Sequence, residues 1–410
     1  MNTSFLFYLI IAILVVQFVV ESVLGFLNAR RFGEPIPGEL QDVFDETEYQ
    51  RAQAYKKTNY RFGLLSSGFS LLLTLSFLLL GGFEWIDGII RGITSHAILQ
   101  AMLFFGTILV GADLVTLPFS WYHTFVIEEK FGFNKTSPKL FLLDKFKGWW
   151  LMLLLGGGML AVIVWLYEWA GAAFWIYAWG VISLFTVFIN LFYSKLIVPL
   201  FNRQTPLEPG SLKSKIEGYA ESVGFELQHI FVIDGSKRST KANAYFSGFG
   251  KQKRVTLFDT LIQDLEEEEI VAVLAHEVGH YKRHHIVFNL VASVVNTGIT
   301  LFVLSLFINN PGVSMAIGVS QPSFHAALVG FGILYSPITE LTGLGLNYLS
   351  RKFEYEADEF ARTTFDGPPL ISSLKKLSKN SLSNLTPHPA YVFVHYSHPP
   401  LKDRIRQLKA

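Results

Sequence analysis

The chain has 410 residues, of which 50% are hydrophobic and 15% aromatic; only 16% are charged, the net charge is +1 and the mean hydropathy is +0.36. A soluble chain carries about 25% charged residues, so this composition excludes an ordinary water-soluble globule and points to a mainly α, polytopic membrane protein. The lack of cysteine excludes disulfides, thiolate metal ligands and a cysteine nucleophile, and no basic patch with interleaved aromatics suggests nucleic acid.

Apolar stretches of about 18 residues or more read as spanning helices. Seven are expected, at residues 5–26, 62–83, 98–121, 149–170, 173–199, 286–309 and 325–349. The first could imitate a signal peptide. No basic n-region precedes it, however, and no small-x-small cleavage site follows before "LGFLNARR", so it reads as a true span. The last is interrupted by Pro337, Glu340 and several glycines, which invite a break. Asp113 and Glu340 lie inside predicted spans and should face protein or water rather than lipid.

Basic residues set the orientation. Arg30, Arg31, Arg51, Lys56, Lys57 and Arg61 lie between the first two spans, and Lys130, Lys135, Lys139, Lys145 and Lys147 lie between the third and fourth. The segment between spans five and six and the C-terminal tail are also basic, whereas the other connections contribute Arg91 alone. This places the N-terminus outside and the C-terminus in the cytosol.

Residues 200–283 form the longest stretch outside the spans. "GSLKSKIEGYAESVG" reads as an amphipathic helix ending at Gly224; "HIFVIDG", "NAYFSGFG" and "KRVTLFD" read as short strands. A helix follows, with Asp264 as the expected N-cap and Glu267 completing a capping box. Its acidic start and basic end suit the helix dipole, and it leads into the sixth span.

That helix carries "AHEVGHYKRHH". His276 and His280 are one turn apart and share a face, a spacing that lets two imidazoles hold one zinc ion. Glu277 stands on the flank, where a carboxylate can take a proton from the attacking water. The plainer reading is a basic helix end meeting the membrane; it accounts for His284 and His285 but not for Glu277. A catalytic zinc needs a third protein ligand. In "NYLSRKFEYEADEFA", Glu354 and Asp358 share a helical face: Glu354 is assigned as the third ligand and Asp358 as an acceptor for a histidine N–H. The alternative there is a solvated acidic helix that also includes Glu356 and Glu359.

These motifs, together with "ETEYQRAQAYKKTNYRFG", "FVIEEKFGFNKTSPKLFLLDKFKG", "NAYFSGFGKQKRVTLFDTLI" and "TPHPAYVFVHYSHPPLKDRI", resemble the type I CAAX prenyl protease family of gluzincin-type membrane metalloproteases. The resemblance implies a seven-helix barrel around a water-filled chamber, with a small α+β zinc-protease domain on the cytosolic side. It implies His276, His280 and Glu354 as ligands of one zinc ion, and Glu277, His398 and Arg404 as catalytic residues. His398 would bind the oxyanion, and His285 would support the site with Asp358. Asn243, Ala244, Tyr245 and Phe246 would form the edge strand along which an extended peptide lies.

The chain then divides into spans one to five (1–199), a metalloprotease segment (200–285), spans six and seven (286–349) and a closing segment (350–410). The expected activity is removal of the last three residues from a prenylated Cys-a-a-X substrate, in a bacterial inner membrane or the endoplasmic reticulum, with membrane lipids as surroundings. Two alternatives stand beside it: a quality-control zinc protease acting on non-prenylated proteins, and a metal-stabilised transporter or channel without protease activity.

Overall fold

The computed structural model of the chain describes residues 2–247 and 254–410, so residues 248–253 of the expected strands lie outside the described residues. The membrane part begins with α1 (Thr3–Ala29) and α2 (Glu46–Leu79), packed antiparallel so that Gly25 meets Tyr60 and Gly68 meets Phe18. A short amphipathic helix, α3 (Gly82–Ile93), precedes α4 (Ala97–Tyr122), which runs on through a π turn at His123–Glu128. Next come α5 (Pro138–Leu151), a second π turn (Met152–Gly157), α6 (Gly158–Ala170), α7 (Phe174–Leu196) and α8 (Val198–Phe201).

The non-membrane segment holds β1 (Gln204–Pro206), α9 (Ser211–Ser222), β2 (His229–Ile233), β3 (Ala244–Ser247), β4 (Arg254–Phe258), α10 (Asp259–Asp264) and α11 (Glu267–Lys282). The chain re-enters the apolar part with α12 (His285–Phe307), the short α13 (Pro311–Met315) and the long α14 (Phe324–Thr364). It closes with α15 (Gly367–Asn380), α16 (Pro389–His395) and α17 (Leu401–Lys409).

Six helical segments among the described residues are long and apolar enough to cross a membrane. The expected spans 149–170 and 173–199 both fall within one of them, Pro138–Phe201, which turns at Gly171–Ala173. Gly171 sits at φ +55°, a conformation open to glycine, and α6 and α7 pack against each other across this turn. The last span is not broken at Pro337. Proline removes the donor that Ile333 O would receive, and Ser336 Oγ donates to that carbonyl instead at 2.8 Å. Asp113 is paired as expected, with Lys145 Nζ at 2.6 Å and Trp149 Nε1 at 2.9 Å.

Buried apolar residues gather at the two ends of the spans. One cluster joins the start of α1 (Leu6, Ile10), the end of α2 (Leu78), α3, the start of α4 (Phe104) and the start of α14 (Phe331). The opposite end has two more clusters, one under the sheet and α11, the other around Leu40, Tyr55, Phe133 and Ile405. Between them the spans are thinly packed: 6% to 22% of each apolar window is buried.

The sheet has the order β1-β2-β4-β3, with β2 and β4 parallel and the outer pairs antiparallel, which leaves β3 on an edge. β1 was not expected; its three residues lack the alternating apolar pattern and are ordered by pairing with β2. The N-cap of α11 also differs from expectation. Asp264 ends α10, Leu265 is extended and buried, and Glu266 caps the helix with Glu269 in the box. Burying Leu265 shifts the start by two residues.

α11 and α14 cross in close contact at Gly279. A Cβ there would lie 3.0 Å from Ala357 Cα and 3.1 Å from its carbonyl oxygen, so no larger residue fits without separating the helices. Gly279→Ala is expected to destabilise the protein by about 1–3 kcal/mol, seen as a lower midpoint of thermal unfolding. Gly345→Ala, whose new methyl meets no atom within 4 Å, serves as the control and is expected to be neutral or mildly stabilising.

Candidate metal centre

The α11–α14 crossing brings together side chains far apart in the chain. His276 and His280 project from one face of α11, and Glu354 meets them from α14. His276 Nε2 and His280 Nε2 are 3.1 Å apart; Glu354 Oε2 is 3.4 Å from the first and Glu354 Oε1 is 3.2 Å from the second. Four ligands at zinc distances of about 2.0–2.1 Å stand about 3.3 Å from one another. The imidazole–imidazole distance and the two carboxylate contacts, one to each Glu354 oxygen, are close to that spacing. Glu354 is 97% buried, yet its Oε2 makes no hydrogen bond of acceptable geometry despite three close cationic or imidazole neighbours. A buried carboxylate oxygen left so is a donor atom waiting for a cation. Two imidazoles and a carboxylate suit a borderline divalent ion, so the residues fit the group the sequence implies.

Each histidine is held from behind. His276 Nδ1 lies 2.8 Å from Asp358 Oδ1, and Arg404 grips that carboxylate with Nε at 2.8 Å and Nη2 at 2.6 Å. Arg404 is buried, its Nη1 3.4 Å from Glu354 Oε2, so it braces the carboxylates from below. His280 Nδ1 lies 3.1 Å from His285 Nδ1, and His285 Nε2 lies 3.1 Å from Glu356 Oε2. Such partners fix the tautomer and ring orientation of a ligand.

His285 reaches His280 because α11 does not run straight into the next span. His284 sits at φ +60°, a left-handed conformation uncommon for a side-chain-bearing residue. The kink turns α12 back and stacks the His285 ring on Phe353, with centroids 4.1 Å apart. The sequence contains no local signal for this turn, and Glu356 had been assigned only to a solvated face.

Glu277 is half-buried and makes no hydrogen bond or ion pair among the described residues, which leaves its carboxylate free for a ligand. His398 follows α16 and is 65% exposed on its side chain, with Nδ1 2.8 Å from Glu354 Oε2. Ala244, Tyr245 and Phe246 lie on the edge strand β3, which packs against α11 and brings Phe246 within 5.8 Å of the Tyr281 ring. Asn243 precedes the strand; its Oδ1 accepts from the N–H of Ala244, and its carbonyl accepts from the N–H of Phe258.

Residues 25–203 match the family described as CAAX prenyl protease N-terminal, five membrane helices, and residues 206–410 match peptidase family M48. The chain is 34% identical over 409 residues to a CAAX prenyl protease 1 homolog of Oryza sativa, covering 98% of this chain and 96% of the relative. It belongs to the CAAX prenyl protease 1 family. The CAAX prenyl protease 1 homolog of Homo sapiens is 32% identical over 424 residues, with 91% and 88% covered. The crystal structure of Ste24p from S. mikatae superposes with a TM-score of 0.92 at 30% identity, covering 99% of each chain. The protein is therefore a membrane metalloprotease of the CAAX prenyl protease type, and its His276, His280 and Glu354 lie together.

The metal-free site holds a proton that metal must displace. Burial works against charge on His276, but hydrogen bonds to Asp358 and Glu354 outweigh it and raise its pKa to about 9. His276 is thus protonated at neutral pH without metal and must be neutral to ligate. Zinc loading at pH 7 is expected to release about one proton at this site. Apparent affinity should rise with pH until about 9 and then level off, as measured by calorimetry in buffers of different ionisation enthalpy. Glu356→Gln is expected to weaken metal binding about tenfold with the fold intact, measured by competition with a chelator.

Proposed function

We propose that this CAAX protease family member is a zinc endopeptidase that removes the C-terminal aaX tripeptide from prenylated Cys-a-a-X proteins or peptides. The observation that carries the reading is the close convergence of His276, His280 and Glu354 donor atoms beside Glu277, which has no hydrogen-bond or ion-pair partner among the described residues.

His276, His280 and Glu354 would hold the ion. Zinc, when bound, supplies a Lewis acid for the scissile carbonyl and lowers the pKa of the attacking water. Glu277 takes the water's proton and passes it to the leaving amide nitrogen. His398, whose Nδ1 lies 2.8 Å from Glu354 Oε2, offers its other ring nitrogen to the carbonyl oxygen as charge develops there. The free edge of β3 receives the substrate as an added antiparallel strand, so main-chain hydrogen bonds grip it whatever its side chains. Arg404 does not reach the substrate in this scheme; it positions Asp358 and through it His276.

In this reading the turn at Gly171–Ala173 would divide Pro138–Phe201 into two crossings, giving seven spans around a chamber. Thin packing along the middle of the spans supports a hollow interior, because a solid bundle would bury more of each helix. Chamber water would reach the site, and a prenyl chain would lie against apolar wall. In this arrangement the N-terminus is outside, the C-terminus and the segment 200–285 are cytosolic, and 286–349 and 350–410 complete the barrel and the site. A bacterial inner membrane or the endoplasmic reticulum suits it equally.

The deciding assay is cleavage of a farnesylated Cys-a-a-X peptide by purified zinc-loaded protein beside its unfarnesylated twin. Cutting of the farnesylated peptide is expected, with loss in Glu277→Gln while zinc stays bound. Equal cutting of both would keep the protease and exclude a prenyl requirement, and no cutting of either would reject the proposed reaction. His398→Ala is expected to lower kcat by about 10²–10³ with metal content unchanged.

A further inference from the structure

We propose that Lys56 anchors the free C-terminal carboxylate of the substrate, at the end of the peptide groove away from the membrane-tethered residue. The proposal rests on the peptidase reading and deepens it: the enzyme would recognise a chain end as well as a cleavage point.

Lys56 belongs to α2 and lines a cavity of about 540 Å³ between α1, α2 and the segment around α16. It has no carboxylate within ion-pair distance among the described residues. The carboxylates nearest it face other groups, although the contact of Glu21 is ionic only when His395 is protonated. Glu128 takes Lys241 Nζ at 2.8 Å and the Tyr55 hydroxyl at 2.6 Å, and Glu21, on the cavity wall, lies 3.3 Å from His395 Nε2. Lys56 thus has no ion pair among the described residues and is held over the Tyr55 ring, 5.4 Å from the centroid. An ammonium half-buried without a counter-ion is costly unless an anion visits it.

Its place matches the path of a peptide. A substrate antiparallel to β3 runs its C-terminal end toward Asn243 and onward to Lys241. Lys241 shares the Tyr55 ring with Lys56, its ammonium 5.5 Å from the same centroid. On the other side Tyr396 lines the cavity, and His398 follows two residues later, a reach of at most about 7 Å. The cavity is therefore linked to the outgoing end of the strand through Tyr55 and Lys241, and to His398 through Tyr396. Three extended residues span about 10 Å, the length of an aaX tail. A cation that the tail reaches would recognise it by its carboxylate.

The test uses full-length, zinc-loaded Glu277→Gln protein and a fluorescent farnesylated tetrapeptide with a free C-terminus, beside the same peptide as its C-terminal amide. The acid is expected to bind about tenfold to a hundredfold more tightly. Lys56→Met in this background should abolish the difference by weakening the acid alone, and Lys56→Arg should keep most of it; Lys56→Gln replaces Met if that variant does not fold. In protein with Glu277 intact, the same difference should appear in KM rather than kcat. Equal binding of acid and amide, or an equal loss for both in Lys56→Met, overturns the proposal. So does an effect confined to phosphatidylglycerol micelles, which would assign the charge to a lipid headgroup. Lys56-dependent preference for the acid with no cutting by the Glu277 protein would uphold the carboxylate anchor and reject the reaction instead.

Discussion

The contact between Gly279 on α11 and Ala357 on α14 is the constraint on which the site depends. Only at that backbone separation can two imidazoles of one helix and a carboxylate of another stand about a tetrahedral edge apart. The residues behind the ligands follow from the same crossing. Asp358 is one turn beyond Glu354 and meets His276, and Arg404 neutralises it from α17. Such a buried ion pair is costly to break, because either partner alone would be an uncompensated charge. The C-terminal segment is therefore part of the metal centre's foundation as well as a cover for it.

The membrane part obeys a different economy. A soluble core is closed by packing its middle, whereas these spans are closed at their ends and left thinly packed between. The outer cluster around Phe104 and Phe331 ties the helices at one end; the sheet, α11 and the cluster around Tyr55 tie them at the other. The packed ends on the sheet side hold the geometry of the metal site. The proline of α4, the π turn that continues that helix and the second π turn between α5 and α6 are the irregular backbone of these spans.

The electrostatics near the site are graded. Glu354, Asp358 and Arg404 form a buried, mutually compensated set next to the ligands. Farther out, His285 and Glu356 form a chain leading to the surface, and Glu356 remains partly exposed. Farther still, on the cavity side, Lys56 makes no ion pair among the described residues. Compensation is complete where metal would bind and incomplete where a substrate group could.

Much of this was legible in the sequence, and the reason is periodicity. Spans, the amphipathic α9 and the H-E-x-x-H face depend on neighbours three or four residues away, so the order of residues determined them, together with the membrane class and the exclusion of thiol chemistry. The pairing of Glu354 with Asp358 had the same local spacing. What only the tertiary structure decided was non-local. It ordered β1 by pairing with β2, moved the cap of α11 to Glu266 by burying Leu265, and carried Pro337 through an unbroken helix with a hydroxyl from Ser336. It also placed His285 against His280 by a left-handed turn at His284, drew Arg404 beneath the carboxylates, and left Lys56 without a counter-ion. Each of these depends on atoms brought close by packing between distant segments, and no window of neighbouring residues encodes such distances.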